Sequence, residues 1–124
     1  MTSRISYQQT SEKAAEDARE YASMCAFISM SCALASVRAI LDNDVSGAEH
    51  AARAAQNNAD RAADAARHAN EAAPDTMTAR SAREYAAHAQ NGADIAARAI
   101  HALTSPSVED LAAKYNSPYL IWSE

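Results

Sequence analysis

From Ala48 to Ala73 alanine recurs in alternating steps of four and three residues: Ala48, Ala52, Ala55, Ala59, Ala62, Ala66, Ala69 and Ala73. A second run, Ala79, Ala82, Ala86, Ala89, Ala93 and Ala96, continues to Ile100 and Leu103. This 3.5-residue repeat is the seam of helices that wrap around one another, here with methyl-sized knobs. Chance periodicity is a concern where alanine makes up about a quarter of the chain. Arg53, Asp60, Arg61, Asp64, Arg67 and His68 all avoid the first row, so the phase is real. Small knobs let two helix backbones approach at or below the usual 8–10 Å.

Punctuation supports helix nearly throughout. The chain has 2 glycines, and its 3 prolines stand at positions 74, 106 and 118. Alanine is the best helix former because its side chain loses no entropy on ordering. The sequence therefore predicts an all-α antiparallel bundle in one domain spanning 1–124. It has three long alanine-rich helices near 8–41, 47–73 and 76–103, a short helix near 107–115, and an apolar tail. Ser6 with Gln9, or Thr10 and Ser11, offers a start for the first helix, and Asp42-Asn43-Asp44 its end. Ser46 with Glu49 reads as a capping box for the second, which Pro74 terminates. Asp75 or Thr76 caps the third. Matched lengths and short connections favour antiparallel neighbours.

The first helix reads differently. Its repeat is Ala14, Ala18, Tyr21, Cys25, Ile28, Cys32, Ala35 and Ala39. Phe27, Met30, Leu34, Val37 and Leu41 make a second stripe. No charge occurs from Tyr21 to Val37, a stretch close to the lower length limit for a membrane span. Its serines and alanines favour a buried central helix, covered by the C-terminal segment or by a second copy. Phe27, Met30 and Leu34 are thus self-association candidates. Cys25 and Cys32 are roughly 10 Å apart along one helix, beyond disulfide reach, and read as small hydrophobes in a reducing compartment.

The formal net charge is −5. That disfavours direct nucleic-acid binding, which needs clustered Lys and Arg. Residues 42–75 carry seven acids against three arginines, a candidate meeting surface for a basic partner. Residues 1–20 include Glu12, Glu16, Asp17 and Glu20, unlike the apolar core of a secretion leader, so a cytoplasmic location is expected.

Catalytic signatures are scarce. The sequence holds no G-x-S-x-G elbow, P-loop, G-x-G-x-x-G or paired C-x-x-C. Asp64 with His68, and Glu84 with His88, have ligand-like i,i+4 spacing at matching heights of an antiparallel hairpin. Their helical angles point them away from the alanine seams, so no metal or other cofactor is expected.

Together these features predict a non-catalytic protein-binding module. Its leading form is a small acidic inhibitor of a basic partner, of the immunity or phage anti-defence (anti-CRISPR) kind. Partner-binding candidates are Asp60, Asp64 and Glu71, with Tyr119 and Trp122 as aromatic anchors. A self-associating helical protein, possible as a homodimer, is the alternative. A metal-dependent bundle enzyme built on Asp64, His68, Glu84 and His88 is the third.

Overall fold

A computed structural model describes the backbone of residues 2–104 and the side chains of residues 10–102. The expected short helix at 107–115, with Tyr119 and Trp122, lies outside the described residues. Three α-helices follow one another: α1 (Thr2–Leu41), α2 (Val45–Ala72) and α3 (Met77–Thr104). Each packs against both others, and no strand occurs among the described residues. The α-bundle expected from the alanine periodicity is therefore the fold.

Cross-helix contacts fix the directions. Ser36 bonds to Ala48 and Ser29 to Ala55, so α1 and α2 run antiparallel. The side-chain amides of Gln56 and Gln90 pair across α2 and α3, which also run antiparallel. Ser29 reaches Ala89 as well, and Glu12 and Glu16 lie beside Met77 and Thr78, so α3 runs parallel to α1.

The two connections are built from short polar side chains. At the end of α1, Asn43 adopts φ 60°, a left-handed conformation that asparagine tolerates better than most residues. The Asn43 N–H donates to Ile40 and the Asp44 N–H to Ala39, closing a Schellman motif over the last carbonyls. Asp44 then caps α2 itself, accepting from the Gly47 N–H at 2.9 Å. The cap expected at Ser46 is thus displaced by two residues. Gly47 makes room for it, since a Cβ there would lie 2.2 Å from the Asp44 carboxylate. At the other connection, the Thr76 hydroxyl donates to Ala73 at 2.7 Å and accepts from the Ala79 N–H at 3.2 Å. Of the two expected caps for α3, Thr76 is the one used.

The alanine rows are the core. Ala48, Ala55, Ala59, Ala62, Ala66, Ala69 and Ala73 of the first row are buried, as are Ala79, Ala82, Ala89, Ala93 and Ala96 of the second. Each buried methyl contributes only about 0.8 kcal/mol, so close approach and dispersion must carry the packing.

The repeat of α1 is only partly inside. Cys25 is in the core and Ala18 and Cys32 pack against it, but Ala14, Tyr21, Ile28 and Ala35 are exposed; most of the buried face lies one residue later, at Ala15, Ala22, Ala26, Ser29, Ala33 and Ser36. One residue is about 100° of helix, enough to turn a face outward. The cause is size. Apart from Cys25, the buried positions of α1 hold nothing larger than alanine or serine, matching the small rows of both neighbours. Ser29 and Ser36 are completely buried and satisfied by backbone carbonyls of the other helices. The Ser29 hydroxyl donates to Ala89 at 2.6 Å, with the Ala55 carbonyl sharing the proton at 3.1 Å. Gly92 faces this point: a Cβ there would lie 2.9 Å from Ser29 Oγ and 3.2 Å from the Met30 backbone nitrogen.

Candidate interaction surface

Turning the small row of α1 inward turns its large row outward. Met24, Phe27, Leu34 and Leu41 are exposed to 60%, 76%, 66% and 76% of their full surface. With Ser31 and Arg38 they form a continuous row, Met24-Phe27-Ser31-Leu34-Arg38-Leu41, in steps of three and four. All six are exposed. The row extends toward the N-terminus through Glu20, Asp17 and Lys13, also exposed. Thus α1 carries two seams on opposite sides: a small one filled by α2 and α3, and a large one filled by nothing among the described residues. The expectation that the apolar half of α1 is buried is corrected accordingly. Phe27 and Leu34 stand in the outer seam, whereas Met30 lies at its edge, 40% exposed, with its sulfur against Gly92. Met24 and Leu41 belong to the surface as well. Their shared phase with Phe27 and Leu34 was the sequence signal for them.

Flanking the seam on the α2 side is a groove of about 440 Å³, with Tyr21 of α1 facing Arg61, Asp64 and His68 of α2. Its volume is that of a small-ligand cleft, but it is shallow and runs along an open helix–helix crevice.

The acidic candidates are placed on the exposed side of α2, where basic groups accompany them. Asp64 receives the Arg67 guanidinium at 2.6 Å, and Glu71 lies 4.0 Å from the same side chain. Asp60 accepts from Gln56, which also pairs with Gln90; Gln90 in turn donates to Asp94. Three of the seven acids between 42 and 75, namely Asp42, Asp44 and Asp75, sit in the connections rather than on α2. The surface of α2 is therefore one of alternating charge.

The two ligand-like pairs do not assemble. Asp64, His68, Glu84 and His88 are all exposed, and no group of three or more His, Cys, Asp and Glu side chains able to hold a metal occurs among the described residues. Both cysteines are free thiols; Cys25 is buried in the core and Cys32 partly so. α1 also contains a stretch long and apolar enough to cross a membrane, with a window mean hydropathy of 1.8 that is 28% buried.

Comparison with family models, curated proteins and solved structures finds no match for this chain.

Proposed function

We propose that this chain is a non-catalytic protein-binding module, and that its recognition element is the outer seam of α1, which docks one further amphipathic helix. The carrying observation is the exposed Met24-Phe27-Ser31-Leu34-Arg38-Leu41 row. Its 3.5-residue repeat is the pattern one helix presents to another. Contiguous apolar surface of this kind on a monomer marks an interaction site.

A membrane fits the same residues less well. To span a bilayer, α1 would have to leave α2 and α3, exposing Ser29 and Ser36 to hydrocarbon without the carbonyls they now use. To lie flat on an anionic surface, the seam would need basic flanks. It has Asp17 and Glu20 at one end and Arg38 at the other.

The inhibitor reading is one form of a docking protein. Its acidic version has weaker support, since Asp60, Asp64 and Glu71 are interleaved with Arg61 and Arg67. Affinity capture from the native host separates the surfaces. We expect Phe27→Asp to lose the partner and the triple variant Asp60→Asn, Asp64→Asn, Glu71→Gln to keep it. Equal recovery with Phe27→Asp would overturn the seam as recognition element.

A further inference from the structure

The outer seam carries its own complement. We infer that its occupant is α1 of a second copy of this chain, running antiparallel about a two-fold axis between Phe27 and Ser31. This rests on the helix-docking reading above and adds the partner, direction and register.

The steps from Glu20 through Met24, Phe27, Ser31 and Leu34 to Arg38 are four, three, four, three and four, which reads the same in both directions. An antiparallel copy centred on this stretch pairs Phe27 with Ser31, Met24 with Leu34 and Glu20 with Arg38, each twice by symmetry. Every layer opposes a position preceding a three-residue step to one following it, as antiparallel coiled coils require. The largest knob of the row meets its smallest residue. Met24 and Leu34, 60% and 66% exposed, cover each other. Outside these pairs a carboxylate meets a guanidinium on each side, and one layer further out Leu41 lies over Asp17 at the rim. Neither Glu20 nor Arg38 has an ion-pair partner among the described residues, so both are available.

Competing arrangements lose this match. A parallel pair places Glu20 on Glu20 and Arg38 on Arg38, like charges at both ends of an apolar row. An antiparallel pair slipped by one heptad sets Arg38 over Phe27 with no carboxylate opposite. Self-complementarity of one patch is what a two-fold interface demands.

The test is the monomer–dimer equilibrium of the full chain, followed by sedimentation or light scattering over a dilution series. The wild type should show dimer mass, and Phe27→Asp monomer mass with unchanged helical circular dichroism. Glu20→Arg and Arg38→Glu should each raise the dissociation constant roughly tenfold, because each turns two symmetry-related attractions into repulsions. The double variant Glu20→Arg/Arg38→Glu restores both pairs and should return to within about threefold of wild type. A double variant as weak as either single one overturns the register, and single variants without effect overturn the antiparallel direction. A wild type that stays monomeric at the highest concentration overturns the second copy as occupant. In that case, loss of a host partner by Phe27→Asp would still uphold helix docking.

Discussion

Replacing Gly92 with alanine tests the close approach at the centre of the bundle by the sign of its effect. In an ordinary helix interior this change is stabilising by about 1 kcal/mol, because alanine orders at lower entropic cost than glycine. Here the added methyl would lie 2.9 Å from Ser29 Oγ, 3.0 Å from Met30 Sδ and 3.2 Å from the Met30 backbone nitrogen. The methionine tail can swing away. The backbone of α1 cannot move without separating α1 from α3 along their length. Overpacking of this kind costs about 1–3 kcal/mol. Displacing Ser29 also disturbs its 2.6 Å bond to Ala89, worth about 1 kcal/mol. After subtracting the propensity gain, Gly92→Ala should be destabilised by about 1–3 kcal/mol. Urea unfolding followed by far-ultraviolet circular dichroism reads this as a midpoint lower by about 1 M. All variants should be compared at one protein concentration. Ala97→Gly, at an exposed position of α3, calibrates propensity in the same helix and should cost about 1 kcal/mol. The double variant Ser29→Ala/Gly92→Ala should be less destabilised than the sum of its parts, since removing Oγ removes the nearest obstruction. A Gly92→Ala midpoint at or above wild type would refute the packing argument.

Three further outcomes follow from the same geometry. Ala62→Leu places a long side chain in the fully buried small seam of α2 and should cost about 1–3 kcal/mol by the same urea titration. Thr76→Ala removes both hydrogen bonds at the start of α3 and should cost about 0.5–2 kcal/mol, with faster amide exchange confined to its first turn. Phe27→Asp, at a site 76% exposed, should leave the stability of the isolated chain within about 0.5 kcal/mol of wild type when both are measured as monomers.

The seams of α2 and α3 were legible in the sequence because polar side chains avoided them. Asp60, Arg61, Asp64 and His68 mark the outside of α2 unambiguously, and the buried set follows. In α1 no such marker exists between Tyr21 and Val37, so hydrophobicity alone did not separate the exposed Tyr21, Phe27 and Ile28 from the buried positions. Ser29 and Ser36 were the missing clue. A serine in a buried helix reads as polar, yet its hydroxyl can donate to a carbonyl of a neighbouring helix. Counting Ser with Ala produces a small row from Ala22 through Ala26, Ser29 and Ala33 to Ser36, one residue from the repeat through Tyr21, Cys25 and Ile28. The cap of α2 was misplaced for a related reason. Asp44 and Ser46 are both good caps, and the left-handed turn at Asn43 selects Asp44. Phe27 and Leu34 were identified from the second stripe of α1; their exposure depends on how its neighbours pack, which no local pattern encodes.

The orientation of α1 follows from closeness rather than from area. Burying Phe27 and Leu34 would remove more apolar surface from water than burying Ala26 and Ser29. It would also wedge α2 and α3 apart, because Asn58 and Tyr85 aside they meet α1 with methyl-sized side chains. Separation forfeits dispersion along all three contacts and leaves the Ser29 hydroxyl without Ala89 and Ala55. The bundle therefore gains more by packing small against small and leaving the large row outside. That row then contributes little to the stability of a single chain, while each large side chain fully covered by a partner contributes about 1.5–3 kcal/mol. Folding and association are thus divided between the two sides of one helix. Substitutions at Gly92 or Ala62 should lower the unfolding midpoint while preserving the pairing register. Substitutions at Phe27 or Glu20 should change association while preserving the midpoint of the monomer. A variant of either kind that moved both quantities together would show that the two seams are mechanically coupled through α1.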